Sequence, residues 1–433
     1  MPEASEAEHP VLRPPPTARW DWGYAACMYV MGIAGCVFLT FFLQPLLGHG
    51  TWWVNGDVWY TTNSAQYVAN GAPGFVYSAN PFYSALPGFI YLYAPVVALA
   101  DHLGLISGYP LPLAHPSMLI LTGPFFFICG ATGVFGVDFL AFTLGVSRAR
   151  RRAIATGLAV LVIAPTPGIE GHPEDLLALA LATWALAYLI RGRFTSAAMI
   201  LSGAILVQTW AGLLLPVLLV ASPPGLRLRA LIRATAAPVI LTLVLLALDF
   251  RDAATDLLRQ PMPDTGQHLP WWSLAGHLTV SNMGVSTQMV SGSTTRSLAL
   301  IVAGLAAWKL CRRVTPERIL LAAGIATYAR CLFEVEYWPY YVAPAVVLLV
   351  VLAARTTVGD PKRFIVAIVS GLLLYFHTTP SYMHIVIDPW WALAIVVSSG
   401  ALCISAASGG VISRLVLPAS LRSFPALGPT RSQ

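Results

Sequence analysis

The apolar residues of this 433-residue chain fall into many uninterrupted runs, and this pattern limits the chain to one class of fold. The runs are about 15–25 residues long, which is enough for a helix to cross, or nearly cross, a bilayer. Only 10% of the residues are charged and 57% are hydrophobic, whereas about a quarter of the residues of a soluble domain are charged. The sequence therefore predicts an all-α, polytopic integral membrane protein.

The remaining composition excludes several other classes. The opening residues are polar, acidic and rich in proline, so the pattern of a cleavable signal peptide is missing. The net charge of +6 is spread over short loops, which does not indicate nucleic acid as a partner. The six cysteines lie in or at the ends of apolar runs and have neither disulfide-framework nor zinc-site spacing. We expect no cofactor, and a bound divalent metal ion stays an open alternative.

Basic residues cluster in alternate loops, which orients the chain by the positive-inside rule. The clusters lie at 148–152, 191–193, 227–233, 309–318 and 355–363. If all of them face the cytoplasm, most of the acidic residues fall on the opposite, outer side. We therefore expect a multi-pass protein of the cytoplasmic membrane, with both termini in the cytoplasm and its functional site on the outer face.

About twelve spans fit between these loops. They are predicted near 22–44, 117–144, 153–166, 175–190, 196–209, 211–222, 232–249, 297–311, 317–333, 340–355, 363–379 and 389–409. The spans belong to one transmembrane domain at 22–411, with large outer loops at 45–116 and 250–296. Disordered cytoplasmic tails are predicted at 1–21 and 412–433.

Two apolar segments do not fit ordinary spans. Counting 84–101 as a span would reverse the side of every later basic cluster, so we predict an interfacial or re-entrant helix there, broken by Pro87 and Pro95. The fifth and sixth spans are each too short to cross comfortably, and they meet in QTWAG at 208–212. This break is predicted to lie inside the protein, because a membrane helix can break only where protein or a cavity satisfies its backbone.

The first segment with candidate chemistry is TWWVNGDVWYTTNSAQYVANG at 51–71. Asp57 could take a proton from an acceptor hydroxyl, because a carboxylate near an apolar surface can have a raised pKa. Aromatic neighbours such as Tyr60 could stack on a sugar. Residue types alone favour the alternative, an Asn-Gly-Asp turn within a belt of interfacial aromatic residues.

The second segment is TPGIEGHPEDLLALALA at 166–182. Pro173 suits the first helical position, and Glu174 and Asp175 offset the positive end of the helix. Capping and a role in a site are therefore equally open for these two acids. His172 and Glu170 have no such explanation, although a single His-x-Glu is a weak metal signal.

The third and fourth segments add cations to the outer side. Arg296 could bind a lipid phosphate by a bidentate contact, or it could extend to anionic headgroups. His268, earlier in the same loop, could line the same mouth or lie at the interface. Arg330 ends a span, where burial requires a partner, and Glu334 four residues later is the expected one. Glu336 follows in the same turn.

Taken in order, these segments resemble the GT-C superfamily of glycosyltransferases, specifically the bacterial type of glycosyltransferase family 87. The likeness is carried by GDVWYTTNSAQYVANGAPGFVYSANPFYSALPGFIYLYAP, GHPEDLLALALATWALAYLIRGR, AAMILSGAILVQTWAGLLLPVLL, SNMGVSTQMVSGSTTR and EVEYWPYYVAPAVVLLV. It covers most of residues 22–355. One departure bears on donor contacts, because the family often has Lys-Pro where this chain has Gln208 and Thr209.

The resemblance implies a GT-C helical core with interfacial helices in the first outer loop. It also implies an inverting transfer of a sugar, commonly mannose, from a polyprenyl-phosphate donor to a glycolipid or glycan, with Asp57 as general base. Membrane lipids are the other expected partners. The residues expected to bind substrate are Tyr60, Glu170, His172, Glu174, Asp175, Gln208, Trp210, His268, Arg296, Arg330, Glu334 and Glu336.

Two alternatives stay open from the sequence. One is a transporter or flippase of a lipid-linked sugar, which would need ionisable residues near the middle of the membrane, and Asp138 is the clearest of the few present. The other is a catalytically silent scaffold of cell-envelope assembly, which the departure at Gln208 and Thr209 leaves possible.

Overall fold

The computed structural model describes residues 20–38, 56–80, 83, 85–106, 117–158, 171–262, 269–282, 285–336, 338–377 and 388–409. Within these ranges the chain is mostly helical. Nearly all of both predicted tails lies outside the described residues, and so do two candidate site residues, Glu170 and His268.

Long apolar helices alternate with shorter helical segments along the chain. They are α1 (Trp22–Phe38), α2 (Gly56–Ala69), α3 (Val76–Ala79), α4 (Gly88–His102), α5 (Leu119–Thr143), α6 (Arg148–Leu158), α7 (Pro173–Ile190), α8 (Phe194–Val207), α9 (Leu215–Ala221), α10 (Arg227–Leu248), α11 (Phe250–Ala254), α12 (Ser293–Leu310), α13 (Pro316–Phe333), α14 (Pro339–Thr356), α15 (Pro361–Phe376) and α16 (Pro389–Ala407). Single 3-10 turns lie at Pro73–Phe75, Thr209–Leu214, Pro224–Leu226 and Pro270–Leu274, and a π-helical turn lies at Thr255–Arg259.

Long apolar helices mark the chain as a membrane protein. By length and composition, five helical segments of the described residues could cross a bilayer: Ile120–Thr143, Pro173–Ile190, Pro224–Leu248, Pro339–Thr356 and Pro389–Ala407. Each of the twelve predicted spans overlaps a helix. The number of crossings and the side that each loop faces stay predictions.

Local sequence signals determine where several of these helices begin. α13, α15 and α16 each start with a proline, whose missing N–H would have had no partner in the first turn anyway. The side chains of Thr315, Asp360 and Asp388 precede these prolines and accept hydrogen bonds from backbone N–H groups of the same turn.

Small residues allow the apolar helices to pack closely. α7 and α14 are mostly buried and form the centre of the bundle, whereas Pro224–Leu248 is mostly exposed at its edge. A Cβ on Gly136 of α5 would lie 2.5 Å from Thr183 Oγ1 and 2.9 Å from the backbone of Ala180, both in α7. Only glycine permits this approach, which is typical of helix pairs in membranes.

The predicted first outer loop is largely helical. α4 begins just after Pro87, as expected, but the prediction that Pro95 breaks this helix is wrong. Pro95 is exposed and removes only the backbone hydrogen bond to the carbonyl of Tyr91, while Phe89 and Val97 of the same helix are fully buried. Packing therefore outweighs one missing bond.

The predicted second outer loop contains a small sheet, so the fold is not purely helical. β1 (Pro261–Met262), β2 (His277–Asn282) and β3 (Val285–Ser291) form an antiparallel sheet in the order β1-β3-β2. The register pairs Pro261 with Ser291 and His277 with Val290. The alternation of polar and apolar residues in HLTVSN and VSTQMVS is the strand signal that the loop prediction overlooked.

The predicted helix break is confirmed. α8 ends at Val207, and Gln208 adopts an extended conformation before the chain continues as the 3-10 turn Thr209–Leu214 and then α9. This break places polar side chains between packed helices, where a continuous helix would present an apolar face.

Candidate functional site

A cavity of about 750 Å³ lies where α2, α7, the helix break, α12, α13 and the start of α14 come together. Ten of the thirteen predicted site residues line it, and their roles stay predictions. They are Asp57, Tyr60, His172, Glu174, Gln208, Trp210, Arg296, Arg330, Glu334 and Glu336. An eleventh, Asp175, contacts three of these residues from behind the cavity wall.

Asp57 lies in the first turn of α2, which begins at Gly56, whereas residue 55 of the alternative Asn-Gly-Asp turn lies outside the described residues. Its side chain is 51% exposed, and its Oδ2 lies 3.3 Å from Nε2 of His172. Nδ1 of His172 lies 2.8 Å from Glu174 Oε1, and the imidazole stacks on Tyr340 at a centroid distance of 3.9 Å. The histidine thus joins two carboxylates that come from distant parts of the chain.

The surroundings of His172 favour its charged form. Burial by itself would lower the pKa of His172. The charge of Glu174 and the hydrogen bond and charge of Asp57 outweigh burial and hold this pKa well above its usual value of 6.5. An imidazolium between two carboxylates fixes the orientation of Asp57 at the edge of the cavity.

Asp175 is tied to the helix break rather than to the start of its own helix. Trp210 Nε1 donates to Asp175 Oδ1 at 2.8 Å, and Gln208 Nε2 donates to Oδ2 at 3.3 Å. Arg330 lies 3.6 Å from the same carboxylate. The side-chain amide of Gln208 therefore binds a carboxylate, which satisfies this polar group at the helix break.

One buried carboxylate, Glu334, holds both candidate arginines. Arg296 Nε donates to Glu334 Oε1 at 2.7 Å, and Arg330 Nε donates to Oε2 at 3.3 Å. The predicted pairing of Arg330 with Glu334 is confirmed. The alternative in which Arg296 extends to headgroups is wrong, because this guanidinium also donates to Gln260 Oε1 at 3.0 Å.

Sequence reasoning missed several residues of the cavity wall. Tyr341 lies under the Arg330 guanidinium at 4.1 Å, and Trp338 donates to Glu336 at 2.9 Å. The aromatic run YWPYY was the available signal for these contacts. Gln260 follows the π-helical turn in a left-handed conformation, with φ of 51°, and nothing in the sequence marks it.

A large part of the remaining cavity wall is apolar. It includes Ile205, Leu213, Leu215, Leu257, Leu258 and Leu300. Leu258 is 67% exposed although it lines the cavity, so this wall continues to the surface of the described residues. The cavity therefore combines charged groups with a hydrocarbon surface, which suits a ligand with a polar head and an apolar tail.

Comparisons with known proteins do not assign this site. No protein-family model matches the chain, and no curated protein or solved structure matches it either. What the site does must therefore be argued from its own geometry.

Asp256, in the π-helical turn beside the cavity, is an acid that the sequence reasoning did not single out. It is 1% exposed, and its Oδ2 has no hydrogen-bond partner among the described residues. Burial, followed by the charges of Asp252 and Asp249, raises the pKa of Asp256 to about 9. The carboxyl is therefore neutral in the folded protein at physiological pH.

This shift predicts a pH-dependent stability. Between about pH 4 and pH 9 the folded state holds a proton that the unfolded chain releases, so stability falls as pH rises through this window. Asp256→Asn removes the carboxyl that must stay protonated in the folded state. The free energy of unfolding of this variant, relative to that of the wild type, should therefore grow with rising pH by at most about 1.4 kcal/mol per pH unit. Thermal unfolding at pH 5 and pH 8 measures the difference. The exposed control Asp101→Asn should show no such widening, and a gap for Asp256→Asn that is constant with pH would contradict the prediction.

Proposed function

We propose that this protein is a membrane glycosyltransferase of GT-C type acting at the outer face of the cytoplasmic membrane. It transfers a sugar, with mannose the first to test, from a polyprenyl-phosphate donor to a hydroxyl of a glycolipid or glycan. The observation that carries the proposal is the cavity itself. A half-exposed carboxylate at its edge, two anchored guanidiniums and an apolar wall surround one space.

These groups match the demands of the transfer step. Asp57 accepts the proton of the acceptor hydroxyl while the hydroxyl oxygen attacks the anomeric carbon. The bond from that carbon to the phosphate oxygen breaks, and the lipid phosphate leaves with the electron pair. Attack from the side opposite the leaving group inverts the anomeric configuration.

The arginines serve the leaving group. Arg296 and Arg330 are held in place by Glu334, so the two positive charges need little reorganisation when charge develops on the phosphate. The apolar wall takes the first isoprene units of the donor. His172 acts as a positioning residue, because it holds the Asp57 carboxylate at the edge of the cavity.

The transporter alternative gains no support from Asp138, which was its clearest candidate. Arg151 binds this buried carboxylate through two hydrogen bonds of 2.6 and 2.8 Å, and Trp20 Nε1 donates to it at 2.8 Å. Asp138 thus joins α5, α6 and the residues before α1 as a structural ion pair. It does not connect with the cavity lining.

A transfer assay tests the proposal. Purified protein in phosphatidylcholine nanodiscs is supplied with radiolabelled polyprenyl-phosphate mannose and a membrane lipid extract, and products are separated by thin-layer chromatography. We expect a labelled product that differs from the donor. Absence of product with mannose, glucose and arabinose donors would contradict the proposal, and movement of unaltered donor across proteoliposomes would favour a flippase instead.

A further inference from the structure

We infer that the acidic end of the cavity is a binding site for a divalent cation, with His172, Glu174 and Asp175 as ligands. One ring nitrogen of His172 and one carboxylate oxygen from each acid lie within 4.8 Å of one another. Ligands on opposite sides of an ion at about 2.2 Å are about 4.4 Å apart, so shifts of a few tenths of an ångström close the site.

A second observation at the same place points to a ligand. Glu174 is only 3% exposed and lines the cavity, and its Oε2 has no hydrogen-bond partner among the described residues. Its other oxygen is used by His172. A buried carboxylate oxygen without a partner is costly, and a cation in the cavity would supply the missing interaction.

The charge balance of the site leads to the same conclusion. Five carboxylates, those of Asp57, Glu174, Asp175, Glu334 and Glu336, face two guanidiniums. A charged His172 still leaves the site with an excess of negative charge. Buried carboxylates are stable only when opposite charge and hydrogen bonds compensate them.

The internal segments between the described residues cannot offset this excess with a lysine or an arginine. The internal segments outside the described residues are 39–55, 81–82, 84, 107–116, 159–170, 263–268, 283–284, 337 and 378–387, and the sequence has neither residue in any of them. The two arginines of the site are also shared with Glu334.

Asp57 contacts the ring nitrogen of His172 that does not face Glu174. Its Oδ2 lies 3.3 Å from His172 Nε2, while Nδ1 is on the side of Glu174. An ion on Nδ1 displaces the proton that the imidazolium carries there, and the Nε2–H group still donates to Asp57. Histidine ligands are commonly oriented in this way by a carboxylate, which fixes the tautomer.

The ion also explains how an anionic ligand could enter an acidic cavity. A lipid phosphate would otherwise meet more negative than positive charge, whereas a cation between the carboxylates and the phosphate attracts both. The binding of a lipid phosphate to the ion rests on the proposed function, but the binding of the ion itself does not. Mixed imidazole and carboxylate ligands fit Mn²⁺, which also binds phosphate oxygens and gives a direct spectroscopic signal.

The test measures Mn²⁺ binding without any donor lipid. Full-length protein is stripped with a chelator, placed in neutral phosphatidylcholine nanodiscs and titrated with MnCl₂, and free Mn²⁺ is followed by electron paramagnetic resonance. We expect one Mn²⁺ per chain. Glu174→Gln and Asp175→Asn should each weaken binding at least about tenfold. Glu317→Gln, which changes an acid paired with Arg355 outside the cavity, should bind as the wild type does.

Thermal unfolding of the same samples separates loss of ligands from loss of folding. Mn²⁺ should raise the unfolding temperature of the wild type and of Glu317→Gln, and leave that of Glu174→Gln unchanged. Absence of saturable binding of Mn²⁺, Mg²⁺ and Zn²⁺ to the wild type would overturn the inference, as would equal weakening by all three variants. Transfer that persists without a bound ion would overturn the role of the ion in binding the lipid phosphate. Binding without transfer would leave the site standing and count against the glycosyltransferase.

Discussion

Asp57→Asn should reduce the rate of sugar transfer by about 10²–10⁴-fold, the usual contribution of a general base. The amide cannot accept the proton of the acceptor hydroxyl, yet it has the size of the carboxylate and can still contact His172. Because the side chain is half exposed, folding should be unaffected. Initial rates with saturating donor, together with unfolding temperatures, check both parts of this prediction.

Asp101→Asn is the matched control for this variant. Asp101 is exposed, lies in α4 of the same predicted outer loop and accepts a hydrogen bond of 3.4 Å from Gln66. It should transfer at the wild-type rate. Wild-type transfer by Asp57→Asn would remove Asp57 from the mechanism, and an equal loss in both variants would attribute the effect to the general charge of this surface.

Glu334→Gln should cost about 3–5 kcal/mol of folding stability, the range found when one partner of a buried ion pair is removed. Glutamine keeps the volume of the side chain, but Arg296 and Arg330 lose their shared negative charge. Both guanidiniums should then move, so transfer should fall as well. Denaturant titration followed by tryptophan fluorescence measures the stability.

The exposed ion pair between Glu317 and Arg355 provides the comparison. Arg355 is 44% exposed in this pair, and solvent-exposed pairs contribute about 0–1 kcal/mol. Glu317→Gln should therefore be nearly neutral. If Glu334→Gln were no more destabilising than Glu317→Gln, the shared carboxylate would not organise the site.

The sequence predicted those features of the fold that depend on neighbouring residues. Prolines and capping side chains mark helix starts, and the short apolar runs on either side of Gln208 indicated a break in the helix. The convergence of separated polar segments was also predictable, because alternating basic loops imply which segments share a side of the membrane. Ten candidate residues line one cavity, which agrees with this expectation.

Features that depend on tertiary packing were not predictable in the same way. Pro95 lies within a helix because the burial of other residues of that helix compensates for one lost hydrogen bond. Gln260 follows a π-helical turn, and its own left-handed backbone conformation lets its side chain reach Arg296. The stacking of Tyr340 on His172 requires the start of α14 to meet the start of α7, and no local pattern encodes that meeting.

The break after α8 has a consequence for the way the chain is made. A ribosome delivers α7 to the membrane long before α13, so Asp175 arrives without the arginine that later balances it. Gln208 and Trp210 follow Asp175 by 33 and 35 residues, and both donate to its carboxylate. We expect these two donors to act as temporary partners during synthesis, which keeps the first half of the protein inserted until Arg330 emerges.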